Sequence, residues 1–175
     1  MFKLVFDKKN WSELYDEVID KSILCSYDYV KTAEQLEYNG QACLSVFSIG
    51  EVYVLHPFIK RQIVGTKYFD LVSVYDFGGF WFNIESKVKK VELLKEYDKA
   101  MNLYANENMI VTEFIRLYPF FDSNLLKHTS YELEHFRDNI VIDLKNKNFE
   151  EVEINFSPNR RNQIRSAKKK LSYFY

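Results

Sequence analysis

The sequence predicts a mixed α/β domain of the α+β kind, with a mostly antiparallel sheet flanked by helices. Three observations carry this expectation. Two strand-forming runs, Ala42 to Ile49 and Glu51 to Ile59, meet at Gly50-Glu51 and read as a hairpin. A stretch from about Ser86 to Ala105 places Val88, Val91, Leu94, Tyr97, Met101 and Tyr104 at helical spacings of three and four. Shorter strands and helices alternate around both, with no internal repeat, low-complexity tract or flexible linker.

In chain order, Phe2 to Phe6 reads as a short strand. Asn10 is placed to cap a helix running to about Asp20, with Trp11, Leu14, Tyr15, Val18 and Ile19 on one stripe. A second helix begins at Ser26 and runs through Leu36, and Asn39-Gly40 ends it. Pro57 falls late in the second hairpin strand, which predicts an edge or a bulge there. Lys67 to Val72 is a further strand. Met109 to Leu117 is another, with Arg116 near its end, and Pro119 to Asn124 is a loop. Tyr131 to Phe136 and Asn139 to Leu144 alternate like paired strands turning at Arg137-Asp138. Phe149 to Val152 reads as a helical turn. Ser157-Pro158 starts a last helix, Ser as its cap and Pro in its first turn. Ile164, Ala167 and Leu171 share one face of it, and Arg161, Arg165, Lys168 and Lys169 another. Leu171 to Tyr175 reads as the start of a strand.

The chain has 175 residues, 47% hydrophobic and 28% charged, enough for a real core in a soluble domain. Its net charge of -1 gives no global basic signature for nucleic acid and excludes DNA as an expected partner. That average hides a split. Residues 157 to 175 carry six basic side chains and no acid, so the remainder carries -1 less 6, or -7. Such a split predicts a local anion-facing surface. Cys25 and Cys43 form no CxxC pair and lie at no zinc-site spacing, so they read as reduced thiols. No metal constellation is visible, and His56, His128 and His135 read as structural or surface residues. There is no apolar run of signal-peptide length, and none approaches the roughly 18 residues of a membrane span, so a cytoplasmic protein is expected.

The stretch from Tyr68 to Phe82, YFDLVSVYDFGGFWF, is compositionally unusual. It holds two of the five glycines, side by side, among seven aromatic rings and two acids, Asp70 and Asp76. Large apolar surface beside a permissive backbone suits the wall and hinge of a pocket. A core strand followed by a tight turn is the other reading.

Four segments together resemble the FemAB-like branch of the GNAT acyltransferases, which add amino acids or acyl groups to cell-wall precursors and other surface glycans. Phe69 to Phe80, FDLVSVYDFGGF, is similar to the family's "yyDi-x-x-pYGYGGp" run, with Asp70, Tyr75, Gly78 and Gly79 in matching places. Glu113 to Asn124, EFIRLYPFFDSN, is similar to its "FIRfhP…N". Ile140 to Lys169, with IVIDLKN and NRRNQIRSAKK, is similar to its "vviDL" strand and "RrniRkA" helix. Pro57 to Arg61 is similar to its "lPfikR". Order and spacing agree over roughly residues 40 to 170. Asp76 and Phe77 depart from the family's Gly and Tyr, and Phe80 from its Pro, leaving the loop stiffer and one carboxylate richer.

The resemblance implies a GNAT-like sheet and two such halves in a whole enzyme. Residues 1-155 would be the first half, and 156-175, a basic helix and a strand, would open a second that is largely absent. The isolated chain is then expected to be inactive, as a truncated piece or a split gene product. GNAT transfer needs orientation, a base and backbone donors for an oxyanion. The usual acyl-CoA loop, R/Q-x-x-G-x-G/A at a helix start, is not in this sequence, so no cofactor is expected to bind here. An acyl-CoA or an aminoacyl-tRNA would be the co-substrate of the whole enzyme.

The acceptor, a glycan or nucleotide-linked sugar, is assigned to the glycine stretch. Tyr75 and Trp81 can stack on sugar or base faces, and Asp70 or Asp76 can accept hydroxyl hydrogen bonds around Gly78 and Gly79. Arg116 can pair with a phosphate or carboxylate. Each has a structural alternative: a turn cap for Asp70, core for Trp81, an internal ion pair for Arg116. Arg160, Arg161, Arg165 and Lys168 can meet the phosphates of a nucleotide-linked precursor or tRNA, or form a solvated basic face. No catalytic residue is assignable. Beside the transferase stand a non-catalytic glycan- or partner-binding half-GNAT module, and a scaffold that self-associates through an exposed sheet edge.

Overall fold

The computed structural model describes residues 1–75, 77–142 and 144–171, without the side chain of Leu171. The chain forms two compact units, Met1–Glu134 and His135–Tyr175.

The first unit is a mixed α/β structure around an open, mostly antiparallel sheet. Its elements are β1 (Phe2–Val5), α1 (Lys8–Asp16), α2 (Tyr27–Glu34), β2 (Gly40–Ile49), β3 (Val52–Gln62), β4 (Phe69–Val72), β5 (Trp81–Phe82), α3 (Lys87–Glu107) and β6 (Ile110–Phe114). Strand order is β1-β2-β3-β4-β6, with β5 also on β3. All pairs are antiparallel except β4 with β6, which run parallel because the long helix α3 returns the chain to the same end.

The hairpin expected at Gly50-Glu51 forms there, with Gly50 at φ 60°. Its second strand runs three residues further than expected, to Gln62. Pro57 lies inside the sheet, opposite Leu44 of β2. On the other side of β3, β5 pairs with Val54 and Leu55 and β4 begins at Ile59, so Pro57 sits in the gap between them. The missing N–H is tolerated because no ladder continues past it on that side.

Period-two alternation sorts β2 and β3 onto two faces. Leu44, Val46, Tyr53, Leu55 and Ile59 face α1 and α2, packing with Trp11, Cys25 and Val30. Cys43, Val54 and Phe58 face α3, packing with Leu93, Leu94, Tyr97 and Met101. The helix α1 starts earlier than expected. Asp7, not Asn10, is the cap, its carboxylate accepting the Asn10 N–H at 2.9 Å and the Asn10 side-chain amide at 2.8 Å. The buried Trp11 indole donates to the Cys25 carbonyl at 2.8 Å, tying α1 to the turn before α2.

The pair of strands expected over Tyr131–Leu144 does not form among the described residues. Leu125 and Leu126 are buried by a 3₁₀ turn, Ser123–Leu126, and Tyr131 turns inward to hydrogen-bond Glu113. Beyond it, Phe136, Ile140, Val141, Ile142 and Leu144 are exposed. Alternation makes a segment strand-competent, but a strand needs a partner edge, and the described residues of this segment pair with none. Of the strand expected over Leu171 to Tyr175, Leu171 ends a helix instead, and residues 172–175, like Asp143, lie outside the described residues.

The second unit contains α4 (Phe149–Glu153) and α5 (Pro158–Leu171). A reciprocal capping box starts α4: Asn148 accepts the Glu151 N–H, and Glu151 accepts the Asn148 N–H. Ser157 caps α5 as expected, accepting the Arg160 N–H at 3.3 Å. No helix among the described residues is long and apolar enough to cross a membrane.

Candidate functional site

The glycine stretch lies against the chain that follows β6. Gly78 donates to the Arg116 carbonyl at 2.7 Å and accepts the Tyr118 N–H at 3.0 Å, forming a parallel bridge to Leu117. A Cβ on Gly78 would stand 2.9 Å from Ser73 Oγ. One on Gly79, at φ 145°, would stand 3.0 Å from the Tyr118 ring. Both glycines are therefore required by close approach. Ser73 completes the seam, its Oγ accepting the Arg116 N–H at 2.7 Å.

This seam brings together several of the residues singled out from sequence. The Arg116 guanidinium carbon lies 4.7 Å from the centre of the Phe77 ring, a cation–π contact. Tyr75 is 61% exposed, and its carbonyl accepts the Tyr29 hydroxyl at 2.9 Å. The result is a cation on the Phe77 ring beside a backbone pinned at Gly78, with the exposed Tyr75 three residues upstream of that glycine. Asp76 lies outside the described residues.

Trp81 and Asp70 face elsewhere. Trp81 is buried in the α1/α2 face, stacked on Tyr118 with ring centres 5.4 Å apart and planes 15° apart. Its indole N–H has no hydrogen-bond partner among the described residues. Asp70 is opposite Arg61 in the β3–β4 register and accepts a two-pronged bond from it, Nε at 3.0 Å and Nη2 at 2.7 Å. Arg61 also donates to Glu37 at 2.8 Å, and these two carboxylates raise its already high pKa. Asp70 thus joins β4 to β3 and to the end of α2. Replacing Arg61 with Leu strands two half-buried carboxylates and should cost about 1–3 kcal/mol. Urea unfolding measures it. Unchanged stability would mean that the fork contributes nothing.

Beneath the seam lies a buried polar network that the sequence reading did not assemble. Phe80 connects the two. Its ring centre is 4.6 Å from His56, 5.6 Å from Tyr97, 5.7 Å from Tyr131 and 5.8 Å from Phe121. Ser45 from β2, His56 from β3 and Tyr97 from α3 form a closed set. Ser45 Oγ donates to the His56 carbonyl at 3.0 Å, Ser45 and Tyr97 hydroxyls are 2.9 Å apart, and His56 Nδ1 is 2.7 Å from the Tyr97 hydroxyl. With the Ser45 proton committed, Tyr97 donates to Ser45 and His56 donates from Nδ1. That assigns the neutral tautomer from the bond pattern.

Glu113 of β6 completes the network. Tyr131 O–H donates to its Oε2 at 2.7 Å, while Oε1 is sealed from solvent without a hydrogen-bond partner, 3.6 Å from His56 Nδ1. Burial pushes the Glu113 carboxyl up to about 7, partly offset by the Tyr131 hydrogen bond and reinforced by the charge of Asp98. Burial pushes His56 down to about 3. Through most of the range between these two values both are neutral, so the carboxyl keeps its proton where an ordinary one loses it. Asp98 accepts from the Ser130 N–H at 2.9 Å and hydroxyl at 2.7 Å, so α3 and β6 together hold Ser130 and Tyr131 in place. His56 is 1% exposed, which makes it a positioning group rather than one that meets substrate. The signal in the sequence was Ser45, His56 and Tyr97 at inward positions, where buried polar groups require partners.

In the second unit, the predicted basic residues are partly engaged. Arg160 donates to Gln163 at 3.1 Å, and Arg161 donates to the Ile154 carbonyl at 3.0 Å. Lys168 lies 3.6 Å from Glu153 and 4.4 Å from the Phe149 ring centre. Arg165 has no partner among the described residues. Cys25 and Cys43 are buried thiols, pushed upward in pKa by burial. No group of three or more His, Cys, Asp or Glu side chains among the described residues is placed to hold a metal. The chain matches no protein-family model, no characterised protein and no solved structure.

Proposed function

We propose that this chain is the acceptor-binding, N-terminal half of an acyl- or aminoacyltransferase acting on a cell-envelope glycan precursor, with a GNAT-like, FemAB-like sheet as its frame. One observation supports this above others. The segments that resemble the family meet in space, as Tyr75, Gly78 and Gly79 lie along a backbone seam with Arg116. An exposed Tyr face suits stacking on a sugar or a base, and the guanidinium on the Phe77 ring suits a phosphate or carboxylate. The mixed sheet, with its single parallel pair, is compatible with the same frame.

In this reading the seam binds and orients a nucleotide-linked sugar. The donor is an acyl-CoA or an aminoacyl-tRNA: its thioester or ester bond breaks as an amide or ester forms to an acceptor amine or hydroxyl, and the CoA thiol or tRNA hydroxyl leaves carrying the proton the acceptor loses. Trp81 and Asp70 act as frame rather than as contacts, given where their side chains lie. The lack of an acyl-CoA loop in the sequence favours a second reading of these residues alone, a non-catalytic glycan-binding module.

Calorimetric titration with a UDP-linked N-acetyl sugar and with acetyl-CoA tests the proposal. The sugar nucleotide should bind, Tyr75→Ala should weaken it about tenfold, and acetyl-CoA should not bind. Binding of acetyl-CoA, or none of the sugar nucleotide, overturns it.

A further inference from the structure

The second unit carries a cleft that the proposed acceptor site does not use. Its volume is about 390 Å³, and it lies between one face of α4 with its C-cap and one face of α5. Glu150, Glu153 and Ile154 line one wall, and Pro158, Arg161, Asn162 and Arg165 the other. The spacings, i, i+3, i+4 on α4 and i, i+3, i+4, i+7 on α5, put each set on a single stripe.

The charges in this cleft do not neutralise one another. No acid of the α4 wall forms an ion pair with an arginine of the α5 wall. Glu153 turns to Lys168 at 3.6 Å, and Arg161 to the Ile154 carbonyl at 3.0 Å. The carboxylate of Glu150 and the guanidinium of Arg165 have no partner among the described residues. Two carboxylates on one wall disfavour a simple anion, and two guanidiniums on the other disfavour a simple cation. A ligand carrying both charges, oppositely arranged, satisfies both walls with charge-assisted hydrogen bonds. The volume lies within the range of small-molecule sites, and Ile154 and Pro158 supply an apolar surface for a short side chain.

We propose that this cleft binds a zwitterionic α-amino acid, its ammonium on the Glu150/Glu153 wall and its carboxylate on the Arg161/Arg165 wall. The site is separate from the glycine seam and does not depend on the transferase reading.

The test uses the full chain and three probes followed by amide resonances: L-alanine, ethylamine and propionate. The last two are the cationic and anionic halves of the first. L-alanine should give saturable shifts confined to residues 150–165, and each half-ligand should bind at least about tenfold more weakly. Glu150→Gln and Arg165→Gln should each weaken L-alanine about tenfold with the helical circular dichroism unchanged, since both side chains are exposed. Propionate binding as tightly as L-alanine would mean a plain anion site, and the proposal fails. No saturable shift with L-alanine at tens of millimolar also overturns it. Neither failure bears on whether a sugar nucleotide binds at Tyr75.

Discussion

Replacing Glu113 with Gln should turn a nearly flat pH dependence of stability into a rising one over the range where the two buried groups oppose each other. Glu113 has an ordinary value of 4.5 and a folded value of about 7. The folded state therefore holds the proton more tightly, and stability falls as pH rises from 4.5 to 7. His56 has an ordinary value of 6.5 and a folded value of about 3. Here the unfolded state takes the proton first, so stability rises as pH rises from 3 to 6.5. Each slope is about 1.4 kcal/mol per pH unit, with opposite sign. Between pH 4.5 and 6.5 they cancel, and the parent protein should be nearly flat there.

In Glu113→Gln only the His56 slope remains, so stability should climb through that window. Relative to the variant, the parent should lose about 3 kcal/mol between pH 4.5 and 7. The groups facing Glu113 are His56 from β3, Tyr97 and Asp98 from α3, and Tyr131 beyond the 3₁₀ turn, and all are present in both proteins. Asp122, held down to about 2 by Lys87, and Asp7 and Glu34, also lowered, act below pH 4.5 and drop out of the difference. Urea unfolding at half-unit steps reads it directly. Parallel profiles would show that Glu113 keeps an ordinary carboxylate pKa.

The second large effect is at Phe80. It is 1% exposed and contacts four rings, three of which belong to the polar network or its cover. Phe80→Ala removes a full aromatic ring from a tight core and should cost about 3–5 kcal/mol. The cavity also admits water to Glu113, which should pull its pKa down and shrink the pH difference described above. Tyr75→Ala, five residues upstream in sequence and exposed, should change stability by less than about 0.5 kcal/mol. Urea midpoints separate the two. Equal losses at Phe80 and Tyr75 would mean that the stretch is not divided into a buried support and an exposed surface.

That division marks how far the sequence could be read. The β2–β3 hairpin and α3 were legible because periodicity and turn residues agreed with tertiary packing at Gly50-Glu51 and Ser86, and α5 because Ser157-Pro158 is a local helix start. The alternation over Tyr131–Leu144 misled because local pattern cannot supply a partner edge. Asn10 misled because Asp7, three residues earlier, is an equally good cap and the chain takes it. At the site, Gly78 and Gly79 read as a permissive hinge or a tight turn, and what the structure shows is close approach, by Ser73 and Tyr118. Which of the neighbouring acids and rings face outward was not legible. Asp70 and Trp81 are of the same types as solvent-facing ligand groups, and only the β3–β4 register and the Tyr118 stack turn them inward. The network of Ser45, His56, Tyr97, Glu113 and Tyr131 joins five separate segments, so no local spacing could reveal it.

The proposal that the glycine seam recognises a glycan precursor is tested most directly by mapping amide-resonance changes while the chain is titrated with a UDP-linked N-acetyl sugar. The expected changes cluster at residues 73–80 and 114–118 and vanish in Tyr75→Ala while the folded spectrum persists. Saturable changes elsewhere in the chain, or none at all, would contradict it.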